Sequence, residues 1–84
     1  MGTIRCREVK FRVYPKDHLP VHAHARIGGG EVIVEIRRGR RVALSTVHKD
    51  AVIGPVKDNE IVKVLNAAAE VASEIRAEWK EMQK

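Results

Sequence analysis

Three of the chain's four histidines fall within seven residues, in the run Asp17-His18-Leu19-Pro20-Val21-His22-Ala23-His24. Imidazole ligates metals and moves protons near neutral pH. His22 and His24, two positions apart, project from one face of a strand. A His-x-His pair so placed can hold a divalent ion such as zinc, with His18 or Asp17 supplying a third ligand from the turn between Pro15 and Pro20. Without a metal, the same imidazoles beside Tyr14, Lys16 and Arg26 can serve as acid and base on a phosphodiester. The third reading has the histidines on the wet face of a sheet, with Asp17 bonding backbone amides in its turn. The cluster has no cysteine ligand beside it, and no His-Glu-x-x-His helix is present.

The elements that position the cluster follow from hydrophobic period. Val9, Phe11 and Val13 alternate with Lys10, Arg12 and Tyr14, the period of a half-buried strand. Val21, Ala23, Ala25 and Ile27 then alternate with His22, His24 and Arg26. Gly28-Gly29-Gly30 makes a permissive turn, and Glu31 to Arg37 reads as a strand with Val32, Val34 and Ile36 on one face. Arg38-Gly39 turns the chain into a strand over Arg41 to Val47. Consecutive short turns favour an antiparallel meander. Gly54-Pro55 excludes a helix through the irregular stretch 48–57. Asp58 is an N-cap residue for a helix carrying Ile61, Leu65, Ala68, Ala72, Ile75, Trp79 and Met82 on one stripe. Run straight through residues 59–84, that helix would be about 39 Å long. A seven-residue strand spans about 23 Å. The helix would therefore overhang its sheet and expose Trp79 and Met82 to a second copy of the chain.

Composition bounds the rest. The 84 residues make one domain, 1–84, with a single modest core and strands over roughly 4–47. Cys6 is the only cysteine, so no internal disulfide staples the fold, and a lone thiol suits a reducing compartment. No apolar signal region or membrane-length segment is visible, which places the protein in the cytoplasm. The net charge of +5 includes a run of Arg37, Arg38, Arg40 and Arg41. With Arg26, this run is the expected patch for nucleic acid or an acidic partner. The aromatic interleaving of a single-strand-binding surface is not seen along the chain.

Tyr14-Pro-Lys-Asp17-His18-Leu-Pro20-Val-His22-Ala-His24 resembles the signature of a small prokaryotic family known as domain of unknown function 4160. That signature reads roughly Tyr-x-x-Asp-His-x-Pro-Pro-His-Phe-His-Ala, and Trp79 stands where the family's terminal Trp falls. Val21 and Ala23 replace the second proline and the phenylalanine, while Ala67 and Val71 stand where the family helix carries a Trp and a His. The resemblance implies a small cytoplasmic partner protein, linked to nucleic acid and of the toxin–antitoxin type.

The expected fold is α+β: an antiparallel meander of about four strands with one long C-terminal helix, 58–84, on one face. The expected function is an interaction or regulatory module, with Asp17, His18, His22 and His24 as its working patch. A metal-dependent or acid–base nuclease using those residues is the alternative.

Overall fold

The computed structural model describes residues 2–14, 20–46 and 50–82. Strand β1 (Gly2–Cys6) pairs antiparallel with β2 (Val9–Val13), with Cys6 opposite Val9. Arg7 and Glu8 form the two-residue turn between them at φ 50° and 68°. A type I′ hairpin turn needs two left-handed residues in succession, a demand that Asn-Gly meets most cheaply. Here the turn is tethered to the helical layer through ion pairs of Arg7 with Glu70 and of Glu8 with Lys63.

Strand β3 (His22–Ile27) lies between β2 and β4 (Gly30–Ile36), antiparallel to both. Gly28 turns the chain between β3 and β4 at φ 57°, in the left-handed region that glycine enters freely. The far edge of β4 is shared. β5 (Val42–Leu44) pairs with Val34–Ile36, and β6 (Val52–Ile53) pairs with Glu31 and Val32. The sheet thus runs β1-β2-β3-β4, with β5 and β6 end to end along the far edge of β4.

This confirms an α+β antiparallel arrangement and corrects the expected count of about four strands to six among the described residues. The N-terminal segment pairs fully as β1, and the stretch read as irregular contributes β6. The strand expected to reach Val47 ends at Leu44. There Thr46 leaves the ladder to bond the Glu35 carboxylate through both its backbone N–H and its hydroxyl.

The helical region also departs from one straight rod. α1 (Asp58–Glu70) and α2 (Ala72–Met82) meet at Val71, whose φ of −109° and ψ of 19° interrupt the helix. A straight helix over both would run about 37 Å, more than the 34 Å of the molecule's longest axis. Hydrogen bonds still bridge the bend, Val71 N–H donating to Ala67 O and Ile75 N–H to Val71 O. No proline or glycine marks the position. Buried residues on both sides, Val64, Ala67 and Ala68 before it and Ala72, Ile75 and Trp79 after it, show that the bend lets both segments lie on the sheet.

Trp79 is therefore 5 % exposed and belongs to the core, and Met82 packs against that core. The expected overhang is absent. With it goes the premise for pairing two copies through Trp79 and Met82. The expected stripe otherwise stands, since Ile61 and Leu65 also pack on the core. Lys57 rather than Asp58 is the N-cap residue, and its N–H donates to Glu60 Oε1 at 3.0 Å. Asp58 sits in the first turn, where a negative charge meets the positive end of the helix. Among the described residues, no helix is long and apolar enough to cross a membrane.

Candidate functional site

The core fixes which way each strand faces. Val9, Phe11, Val13, Ala23, Ala25, Ile27, Val32, Val34 and Ile36 all pack under the helices. Strand alternation then sends Lys10, Arg12, His24, Arg26, Glu31 and Ile33 to the opposite, outer face, where Arg26 is exposed, Lys10, Arg12, His24 and Glu31 are half-buried and Ile33 is buried. Register lines them up in rows across the strands. Thr3, Arg12, His24 and Ile33 form one row, and Arg5, Lys10, Arg26 and Glu31 form the next.

His24 stands in the middle of this face. Its Nδ1 lies 3.3 Å from Glu31 Oε2, and its ring meets Tyr14 edge to face, with centroids 4.8 Å apart. A carboxylate can only accept, so Nδ1 donates to it. Tyr14 follows β2 directly and shares the alternation of Lys10 and Arg12.

His22 has a different environment. At the first residue of β3 its ring is buried, 2 % exposed, with centroids 5.0 Å from the Trp79 indole and 5.5 Å from the His24 ring. Its Nδ1–H donates to Pro20 O at 2.8 Å. This imidazole serves the packing between β3 and α2.

Asp17 and His18, the other half of the expected metal or catalytic set, lie outside the described residues, as does Lys16. Among the described residues, no group of three or more His, Cys, Asp or Glu could hold a metal ion. The ring nitrogens that His22 and His24 could offer at Nδ1 are already engaged by Pro20 and Glu31.

The expected basic patch divides. Arg26 is exposed on the outer sheet face, whereas Arg37, Arg38, Arg40 and Arg41 are exposed around the β4–β5 turn. That turn is held from the helical layer, because the Arg76 guanidinium donates to both Arg37 O and Gly39 O at 2.7 Å. Arg37 also approaches Glu35, which is 4 % exposed. Burial raises the Glu35 carboxyl pKa, but the hydrogen bonds from Thr46 and the positive charge of Arg37 outweigh it, so the group ends below the usual range.

Sequence reasoning left Arg5 and Arg12 out of the patch and gave Lys10 no role. Arg5, Lys10, Arg12 and Arg26 share the outer face and form no ion pair among the described residues. The Nε of Arg12 is buried and meets no acceptor among those residues. The signal was present in the strand alternation, since Lys10 and Arg12 occupy the polar positions of β2 just as His24 and Arg26 do in β3. What was missing was the register that sets them side by side.

Cys6 is a free, half-buried thiol. Burial first, and then the charge of Glu70, pushes its thiol pKa up. A cleft of about 400 Å³ lies against Arg5, Cys6, Arg7, Glu8, Val9 and Lys10, and so adjoins the row of cations rather than His24.

Fold and face together define an α+β domain that buries one side of its sheet under helices and carries Arg5, Lys10, Arg12 and Arg26 on the other. The chain matches no known family model, and no match is found among curated proteins or solved structures.

Proposed function

We propose that this protein is a small non-enzymatic interaction module that engages its partner through the outer sheet face around His24. The observation that supports this reading is the row-by-row array of Arg5, Lys10, Arg12 and Arg26, unpaired among the described residues, around a histidine held by Glu31. Leaving like charges together on a sheet face costs stability, a cost that binding a partner of opposite charge recovers. The burial of His22 supports it further, because a ring packed on Trp79 is poorly placed to meet substrate. The motif resemblance extends the proposal to a regulatory partner of the toxin–antitoxin type.

A second reading rests on the His24–Glu31 pair. A carboxylate orienting an imidazole, with Tyr14 and Arg12 alongside, has the parts of an acid–base hydrolase acting on phosphodiesters. Incubation with single-stranded and duplex RNA and DNA separates the two. The module reading expects no cleavage above buffer from wild type or from His24→Ala. Turnover that disappears in His24→Ala, with the thermal melt preserved, would establish the hydrolase instead. His22→Ala serves as the structural control, and its lost packing and hydrogen bond are expected to cost about 2–4 kcal/mol in a urea melt.

A further inference from the structure

We propose that the outer face of β1, β2 and β3 binds the phosphate backbone of single-stranded nucleic acid. The inference rests on the interaction-module reading and names the ligand of that same face.

The distribution of charge carries it. α1 and α2 hold six carboxylates against Lys63, Arg76 and Lys80, a charge of −3, which leaves +8 on the rest of a chain whose net charge is +5. Carboxylates near the hairpins are already engaged: Glu70 by Arg7, Glu8 by Lys63, Glu35 by Thr46 and Arg37, and Glu31 by His24. Among the described residues none forms an ion pair with Arg5, Lys10, Arg12 or Arg26, although Glu31 stands opposite Arg26 at the end of their row. Neighbouring strands lie about 4.8 Å apart, so the row Arg5-Lys10-Arg26 places three cations across roughly 10 Å. Arg12, in the adjacent row, adds a guanidinium whose buried Nε has no acceptor among the described residues. Such an array matches a repeating monoanion better than a single acidic side chain. Phosphate contacts of this kind bind without reading sequence.

A single strand is favoured over a duplex by two features. The face is that of a sheet, and among the described residues no helix stands off it to enter a major groove. The Tyr14–His24 ring pair lies beside the cations, which is the pairing of aromatic and positive groups on which unpaired bases stack. The structure thereby brings together the aromatic and basic groups that are separated along the sequence.

The test is fluorescence anisotropy with a short labelled oligouridine, read as a function of salt. Binding is expected at low salt, with log affinity falling against log salt at a slope of about −3 if four phosphates are neutralised. Arg5→Ser/Lys10→Ser/Arg26→Ser should flatten that slope by about 2 and weaken binding roughly tenfold or more, with an unchanged thermal melt. Should the triple variant unfold, Arg26→Ser alone, at an exposed position, should flatten the slope by about 0.7. Tyr14→Leu should weaken binding about fivefold or more while leaving the slope intact.

Absence of binding at low salt overturns the proposal, as does equal competition by a duplex. Binding that survives the triple variant but is lost in Arg38→Ser/Arg40→Ser/Arg41→Ser overturns it too, and moves the interface to the β4–β5 turn. Polyglutamate distinguishes the two levels of inference. If it binds in an Arg26-dependent way where the oligonucleotide does not, the ligand is wrong and the interaction face stands. If neither binds, both fail.

Discussion

Glu35 ties the irregular edge of the sheet to its centre. Its buried carboxylate accepts from the Thr46 N–H and hydroxyl and faces Arg37. Because its folded pKa is depressed, the group contributes stability above its unfolded value, and that contribution is lost as pH falls through the folded value. Glu35→Gln is therefore expected to cost about 1–2 kcal/mol at neutral pH. The gap between variant and wild type should close in urea melts carried below the carboxylate range. A gap that persists at acid pH would mean the loss is one of shape and not of charge. The two described histidines show how far such detail was legible. Alternation placed His22 and His24 together, as they are. That one is consumed by the core depends on Trp79, which reaches it only through the tertiary fold. Asp17 and His18, the most motif-like pair, lie outside the described residues, so the histidine cluster is described only in part.

Among the elements, the β1–β2 hairpin shows local preference overridden. Arg7 and Glu8 both occupy the left-handed region, at about 1–2 kcal/mol for a side chain that disfavours it. Nothing in Cys-Arg-Glu-Val announces such a turn, which is why the hydrophobic period marks no separate strand before Val9. Glu8→Gly should relieve the strain and give up only the exposed pair with Lys63, itself worth little. A gain of about 0.5–1 kcal/mol in a denaturant melt is expected, and a loss would show that the tether outweighs the turn. In the helical layer the apolar stripe from Ile61 to Met82 was legible from its spacing. The bend at Val71 was not, because no breaker residue causes it. It comes from fitting two buried faces onto a twisted sheet, which is a property of the assembled layers.

At the scale of the whole molecule, bending the helix lets one small sheet cover Trp79 without help from a second chain. The expected state at micromolar concentration is a monomer, seen as a 9.4 kDa particle by light scattering. Twice that mass would assign pairing to a surface other than the helix stripe. The divided edge of the sheet has a consequence of its own. β5 and β6 offer only three and two residues to any incoming strand, and they are separated by the segment in which Thr46 turns inward to Glu35. A foreign strand seeking a long row of open amides finds none on this side among the described residues. Native molecules at high concentration thus present on this side too little ladder to template fibrils, and the hazard of cross-molecule pairing falls on the opposite edge, where β1 bears the exposed charge of Arg5.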